Sequence, residues 1–166
     1  MADVKKSKIF QQSTGIPAKD ACIVLVKTEW NHAITDELEK GARRILEAAG
    51  VKKIITYTVP GAVEIPFTIK ATWDHSKKKN RPDAFIALGC VIRGGTPHFE
   101  YVCKVVTEGV TQLNLQLPVP VIFGVLTVEN ERQANERLGG VHGHKGEEAG
   151  QTALKMIALL ESIKKD

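Results

Sequence analysis

The sequence predicts a single α/β domain in which four parallel strands form one sheet with helices on both faces. Strand-like runs of apolar and β-branched residues alternate with amphipathic helical segments along almost the whole chain. This order is typical of right-handed crossovers between parallel strands. The chain has 166 residues, of which 43% are hydrophobic, which is enough for one core without disulfides or metals. We therefore expect a three-layer α/β/α sandwich.

The first part of the chain predicts strand, helix and strand in that order. Cys22–Val26 is continuously apolar, as expected of a strand covered on both faces. Apolar residues then recur every three or four positions over Ile34–Ala49, and Gly50 ends this helix. Ile54–Val59 is the second strand, and the turn-forming Pro60 stops it.

The middle of the chain repeats this pattern. A second helix begins near Glu64 and tolerates Pro66 in its first turn, where a proline leaves no hydrogen bond unmade. Ala84–Val91 is a third buried strand, followed by a long helix with an apolar stripe over Phe99–Leu113. Val119–Leu126 is the fourth strand.

The end of the chain predicts a short helix over 130–138, a glycine-rich turn over 139–146 and a final helix over Glu147–Ile163. The apolar side chains expected on the inner face of this final helix are Ala149, Ala153, Met156, Ile157 and Leu160.

The N-terminal segment lies outside the alternating pattern. We interpret 1–166 as one domain in which residues 1–17 form an N-terminal arm. Lys8-Ile9-Phe10 has the composition of an extended strand that adds to a neighbouring subunit's sheet, and a frayed tail fits equally well.

Composition excludes intrinsically disordered, collagen-like and disulfide-scaffold proteins. The 23 basic and 19 acidic residues give a net charge of +4, which favours anionic ligands only weakly. Cys22, Cys90 and Cys103 form no CxxC pair, so we expect reduced, buried thiols in a cytosolic protein. The N-terminus lacks the apolar segment of a signal peptide, and no apolar run approaches the roughly 20 residues of a membrane span. We expect a soluble, cytoplasmic protein.

Ligands of open α/β sheets bind beyond the carboxyl ends of the strands. After the first strand comes Trp30, whose indole is either packed or a platform on which a heterocycle stacks. After the second comes Glu64, which either complements a helix dipole or accepts hydrogen bonds from ligand hydroxyls.

The third strand is followed by the most specific signal. Gly94 and Gly95 allow a tight turn and close approach of a ligand to the backbone. Thr96 is expected to be the N-cap of the next helix and Pro97 its first residue, so the amides of Gly95 and Thr96 would face an anionic phosphate. His98, beside that site, can give and take protons near neutral pH, although a lone histidine is more often surface or core.

Other motifs carry little functional signal. Neither GxGxxG nor a Walker A sequence occurs. His142 and His144 lack the accompanying cysteines or carboxylates of a metal site, and the basic run 77–81 is typical of a solvated loop.

Four ordered stretches together resemble the lumazine synthases, the penultimate enzymes of riboflavin biosynthesis. They are Val59–Pro66, Ala87–Tyr101, Val119–Thr127 and the segment from Glu136-Arg137 to Lys145-Gly146. The resemblance extends from about residue 19 to residue 163 and implies a flavodoxin-like parallel sheet.

The resemblance also implies the reaction and the partners. The family condenses 5-amino-6-(D-ribitylamino)uracil with 3,4-dihydroxy-2-butanone 4-phosphate to 6,7-dimethyl-8-ribityllumazine, phosphate and water, without cofactor or metal. The implied partners are the two small-molecule substrates, further copies of the chain and riboflavin synthase, but neither nucleic acid nor membrane. Family members form pentamers, decamers or icosahedral shells of sixty subunits. The stretch from Arg137 to Lys145 contains no extra residues and resembles that of shell-forming members.

Residue roles follow from the resemblance by position. His98 is implied as the group that moves protons. The residues implied to contact the ribitylaminouracil are Trp30, Ala62, Val63, Glu64, Cys90, Val91, Ile92 and Phe123. Those implied to bind the phosphate are Gly95, Thr96 and Arg137, with Lys145 as an additional pocket residue. In the family, the positions of Phe123 and Arg137 close the pocket from the adjacent subunit.

Departures from the family pattern are few, and two other functions remain open. Pro97 replaces a polar residue, and His142 and His144 also differ from the common pattern. One alternative is a shell-forming or flavin-binding protein of this fold without turnover. The other is an FMN carrier with a flavodoxin-like fold, because a phosphate site beside an aromatic side chain suits FMN.

Overall fold

The computed structural model describes residues 18–165, so the arm predicted for residues 1–17, with Lys8-Ile9-Phe10, lies outside the described residues. The strands are β1 (Cys22–Thr28), β2 (Lys53–Val59), β3 (Ala84–Ile92), β4 (Val121–Val128), β5 (Leu138–Gly140) and β6 (Gly143–His144). The helices are α1 (His32–Ala48), α2 (Ile65–His75), α3 (His98–Gln116), α4 (Glu131–Asn135) and α5 (Lys145–Ile163). Short 3₁₀ turns occupy Ala62–Glu64 and Lys78–Asn80.

The predicted four-stranded parallel sheet is confirmed. Its order is β2-β1-β3-β4, and β1 pairs in parallel with both β2 and β3. Val24 of β1 lies opposite Ile55 on one side and Phe85 on the other. Since the strands are parallel, the carboxyl ends of β1, β2 and β3 meet at one edge of the sheet.

Alternate residues of the central strands enter two separate cores. Ile23 and Leu25 of β1 face the layer formed by α1 and α5, whereas Val24 and Val26 face the layer formed by α2 and α3. All four are fully buried, and each such burial contributes about 1.5–3 kcal/mol. Both faces of the sheet are therefore covered, as the continuous apolar run predicts.

Several predicted boundaries are wrong by a few residues. The fourth strand begins at Val121 rather than Val119, because Pro120 has no N–H to donate to the ladder. The side chain of Asn114 pairs with the start of this strand, accepting from the Val121 amide at 2.9 Å and donating to its carbonyl at 2.8 Å. The predicted helix over 130–138 is shortened to α4, within 131–135.

The predicted start of the C-terminal helix at Glu147 is two residues too late. The helix begins at Lys145, and the predicted glycine-rich turn holds the short β5–β6 hairpin and the first turn of this helix. Gly146 lies against α1, where an added Cβ would stand 2.1 Å from the carbonyl oxygen of Leu38. Met156, predicted to face inward, is 38% exposed, whereas Leu154 is fully buried.

The sequence also predicts three reduced, buried thiols and no membrane span. Cys22 and Cys90 are buried as predicted, whereas Cys103 is only partly buried, and all three are free thiols. None of the helices within residues 18–165 has the length and apolarity needed to cross a membrane.

A network of charged side chains ties α1 to the first two strands. Lys27 of β1 donates to Glu39 of α1 at 2.7 Å, and Thr56 of β2 donates to the same carboxylate at 2.7 Å. Arg43 adds a further hydrogen bond at 2.8 Å. Burial alone would raise the pKa of the Glu39 carboxyl, but the hydrogen bonds from Lys27, Arg43 and Thr56 outweigh it and lower the pKa to about 2.

We expect Glu39→Gln to reduce the free energy of unfolding at pH 7 by about 2 kcal/mol. A carboxyl whose pKa is lowered by folding stabilises the protein above its unfolded pKa, and this contribution disappears as the pH falls towards 2. Urea unfolding at pH 7 and pH 3 measures it: the difference between the two proteins should be clearly smaller at pH 3 than at pH 7. Asp74→Asn is the control, because its pair with Lys70 is exposed and worth about 0–1 kcal/mol. An equal loss at both pH values would contradict the prediction.

Candidate functional site

The turn after β1 presents the Trp30 indole at the carboxyl edge of the sheet. Asn31 adopts a left-handed conformation (φ 57°), and its side-chain amide donates to the carbonyl of Cys90 at 2.8 Å. The hydroxyl of Thr28 donates to the carbonyl of Trp30 at 3.1 Å. These bonds hold the backbone while the indole remains 74% exposed, so Trp30 is not part of either core.

The segment after β2 lies beside this indole. Trp30 donates its amide to the carbonyl of Pro60 at 3.3 Å. One carboxylate oxygen of Glu64 accepts a hydrogen bond from the Gly61 amide at 2.9 Å. Glu64 thus holds the turn together, and its second oxygen accepts no hydrogen bond from any described residue, which leaves it available to a ligand.

Cys90 and the two residues after it form the wall of the site at the end of β3. Val91 and Ile92 are half-buried, and Cys90 is buried. Burial, with a smaller contribution from the Glu131 carboxylate, raises the pKa of the Cys90 thiol to about 12. The thiol is therefore neutral at physiological pH and unsuited to act as a nucleophile.

The loop from β3 to α3 is open. Pro97, not Thr96, occupies the N-cap position of α3, and it makes no side-chain capping bond, so the predicted threonine cap is wrong. Gly94 and Gly95 do not adopt positive φ, and an added Cβ would meet nothing within 4 Å at either. The chain bends at Gly95 and Thr96, but neither a left-handed conformation nor a close contact within the described chain explains the two glycines.

A cavity of about 560 Å³ joins the ends of β1, β2 and β3. The predicted site residues that line it are Trp30, Ala62, Val63, Glu64, Cys90, Val91, Ile92 and His98. His98 is the first residue of α3 and is exposed. The cavity therefore brings an aromatic face, a carboxylate and an imidazole into one cleft.

Five predicted site residues do not line this cavity. Two of them, Gly95 and Thr96, lie in the loop before α3, and the other three lie elsewhere in the chain. Phe123 is partly exposed on the edge strand β4. Arg137 donates to the carbonyl of Gln133 at 2.6 Å, and its buried Nε has no hydrogen-bond partner among the described residues. Lys145 is buried and donates to Glu148 at 2.5 Å. None of the three lines the cleft of its own chain.

Sequence reasoning missed other residues of the cleft. Asn31, Pro60, Gly61 and Val102 also line it. The asparagine could have been found, because asparagine tolerates the left-handed conformation and follows a strand end here. Val102 had no separate signal, since it belongs to the apolar stripe of α3.

Comparison with known proteins identifies the family. The model of the 6,7-dimethyl-8-ribityllumazine synthase family matches residues 20–161. The chain belongs to this family. It is 50% identical over 143 residues to a 6,7-dimethyl-8-ribityllumazine synthase of Porphyromonas gingivalis, covering 85% of this chain and 86% of that protein. It is 42% identical over 162 residues to the enzyme of the same name from Flavobacterium johnsoniae, covering 96% and 83%.

Family membership confirms the resemblance carried by the four motifs. The prediction of a transferase of riboflavin biosynthesis is confirmed at the level of the family. Among the described residues, no three histidine, cysteine or carboxylate side chains are grouped so that they could hold a metal ion.

Proposed function

We propose that this chain condenses 5-amino-6-(D-ribitylamino)uracil with 3,4-dihydroxy-2-butanone 4-phosphate to form 6,7-dimethyl-8-ribityllumazine. The observation that carries the proposal is the single cleft in which Trp30, Glu64 and His98 meet. In this cleft the Trp30 indole suits a flat heterocycle, the Glu64 carboxylate suits a polyhydroxyl chain, and the His98 imidazole suits proton transfer.

The pyrimidine substrate fits the side of the cleft formed by β1 and β2. The exposed indole of Trp30 offers a face on which the ring stacks. The free carboxylate oxygen of Glu64 accepts hydrogen bonds from ribityl hydroxyls, while the oxygen bonded to Gly61 holds the side chain in place. Val91 and Ile92 form the apolar wall.

The phosphate of the second substrate fits the open loop before α3. The amides of Gly95 and Thr96 donate to no described residue, and they precede the positive end of a 19-residue helix. An added Cβ at residue 95 would meet nothing within 4 Å, so packing within the described chain does not explain the glycine there. We assign the glycine to close approach of the phosphate.

A second copy of the chain completes the cleft. Phe123, Arg137 and Lys145 do not line the cleft of their own chain, and the Arg137 guanidinium retains a buried N–H without a partner among the described residues. We assign these three residues to the cleft of an adjacent subunit, where Arg137 binds the phosphate. The active assembly is then a pentamer or a shell of pentamers.

Proton transfers at His98 accompany each step of the reaction. The aromatic amine attacks the ketone, water leaves to form an imine, phosphate is eliminated, and the ribitylamino nitrogen closes the ring with loss of water. No covalent bond to the protein is needed, in agreement with a neutral Cys90 thiol. A histidine in this role contributes about 10²–10⁴ in rate, and holding two substrates together supplies much of the remainder.

Mixing the two substrates with the purified protein and following lumazine absorbance and fluorescence tests the proposal. Wild-type protein should form the product, and His98→Ala should lower the single-turnover rate without abolishing it. Stoichiometric FMN without lumazine formation would instead support a flavin carrier, and bound flavin in an inactive shell would support a protein without turnover. A full rate for His98→Ala between about pH 5 and 9 would contradict the role of the imidazole.

We expect Gly95→Ala to weaken binding of the phosphate substrate without destabilising the protein. The new Cβ meets no described atom within 4 Å, so the free energy of unfolding should stay constant or rise by about 0.4–1 kcal/mol. In the complex the new methyl group would crowd the phosphate, so the KM for the butanone phosphate should rise about 10-fold. Steady-state kinetics and thermal unfolding measure both effects. Gly94→Ala is the matched control, and an unchanged KM for Gly95→Ala would contradict the assignment.

Assembly and location are further parts of the proposal. We place the protein in the cytoplasm, as a shell of sixty subunits that works with riboflavin synthase. Five copies of an 18.2 kDa chain total about 91 kDa and sixty total about 1.1 MDa, so light scattering separates the two states. An active monomer would contradict the shared cleft.

A further inference from the structure

Arg93 makes several side-chain contacts around the β3–α3 loop, residues 94–97, and none of the roles assigned above involves Arg93. Its Nε donates to Glu129 at 2.7 Å, and its NH1 group donates to Glu100. The guanidinium carbon also lies 4.2 Å from the centre of the Phe99 ring. The backbone amide of Arg93 donates to the carbonyl of Val128 at 2.9 Å.

These contacts join three elements at the base of one loop. Arg93 directly follows β3, Glu129 directly follows β4, and Glu100 lies in the first turn of α3. The bond from Arg93 to Glu100 therefore joins the two ends of the loop formed by residues 94–97. Among residues 18–165, no other side chain forms a hydrogen bond or ion pair with residues 94–100.

The geometry points to Arg93 as the positioning residue that holds the β3–α3 loop in its phosphate-binding conformation, an inference that rests on the proposed function. An added Cβ would meet nothing within 4 Å at Gly94 or Gly95, and Pro97 makes no side-chain capping bond. Packing at these three residues therefore does not fix the conformation of the loop. A loop that is already ordered loses less conformational entropy when it binds a ligand. Arg93 thus acts through the loop amides and does not itself line the cleft.

An arginine suits this position better than a lysine. The planar guanidinium presents several N–H groups in a rigid fork, so it bonds both carboxylates while its face stacks on Phe99. A lysine ammonium would keep the charge but lose the fork and the stacking. Arg93 also neutralises Glu100 and Glu129, which would otherwise repel an approaching phosphate.

The hydrogen bond from Arg93 lowers the pKa of the Glu100 carboxyl. The side chains of Arg93, Glu100 and Glu129 are all exposed. Exposed ion pairs contribute little to stability. The effect of losing Arg93 should therefore be seen in the binding of the phosphate substrate and much less in the unfolding of the protein.

Kinetics of Arg93→Lys and Arg93→Gln test this inference. We expect the KM for the butanone phosphate to rise about 10-fold in Arg93→Lys and further in Arg93→Gln, while the KM for the pyrimidine changes by less than about 2-fold in both. The larger effect is expected for glutamine, since it also leaves the two carboxylates unneutralised. Arg81→Gln is the matched control, because the Arg81 guanidinium stacks on Trp73 at 4.8 Å outside the cleft, and it should leave both KM values unchanged.

A binding measurement separates this inference from the proposed function. Inorganic phosphate should protect the wild-type protein against thermal unfolding, with a Kd that rises about 10-fold in Arg93→Lys. Absence of lumazine formation by the wild type would overturn the proposed reaction, whereas phosphate binding tests the loop directly. The inference is overturned if wild-type protein binds no phosphate, if the phosphate Kd is unchanged in Arg93→Lys, or if both KM values rise equally.

Discussion

Trp30→Ala should raise the KM for the ribitylaminouracil about 10- to 100-fold, because stacking of a base on an aromatic side chain is worth about 1–3 kcal/mol. The indole is 74% exposed, so its loss leaves no cavity in the core. A buried tryptophan replaced by alanine would cost about 3–5 kcal/mol. Here we expect a change in the free energy of unfolding below about 1 kcal/mol.

Steady-state kinetics in each substrate, together with urea unfolding, measure this result. The KM for the butanone phosphate should stay unchanged, because the loop that we assign to the phosphate follows β3, whereas Trp30 follows β1. Trp30→Phe is the matched control, since it keeps an aromatic face and should restore most of the affinity. An unchanged pyrimidine KM in Trp30→Ala would show that the ring binds elsewhere.

Gly146→Ala should have the largest effect on stability, a loss of about 3 kcal/mol or more. An ideal Cβ at this position would stand 2.1 Å from the carbonyl oxygen of Leu38 and 2.9 Å from its Cα. Both atoms belong to the backbone of α1, so relief requires the two helices to separate. Alanine favours a helix by about 1 kcal/mol over glycine, which offsets only part of this cost.

A graded series of glycine variants tests the cause. Gly150→Ala brings the Cβ to 2.9 Å from the carbonyl of Ala42, and Gly94→Ala meets nothing within 4 Å. The loss measured by urea unfolding at one fixed protein concentration should therefore decrease from Gly146 to Gly150 to Gly94. Equal losses at Gly146 and Gly94 would show that backbone entropy, and not the contact between α1 and α5, decides the effect.

The part of the site formed by β1, β2 and β3 could be predicted from sequence. Trp30, Glu64 and His98 each follow the carboxyl end of a strand, and parallel strands bring those ends to one edge. The four motifs supplied the family, which the comparisons confirm. The assignments of individual roles to these residues stay predictions until the kinetics are measured.

Other features could not be predicted, because they depend on contacts between residues far apart in sequence. Asn31 reaches the carbonyl of Cys90, which lies 59 positions away. Arg93 and Glu129 are 36 positions apart. Periodicity within a short window carries no information on such pairs, and motif spacing shows only that the residues are present.

The amino-acid sequence alone determined the order of strands and helices, the two covered faces of the sheet and the family. These follow from local hydrophobic periodicity and from residue identity. Only the tertiary structure decided that Gly146 belongs to α5 and contacts Leu38, that Pro97 rather than Thr96 is the N-cap of α3, and that Arg93 bonds both Glu100 and Glu129. The physical reason is that close packing and fixed hydrogen-bond geometry arise between elements, where a shift of one ångström decides whether a side chain fits or bonds.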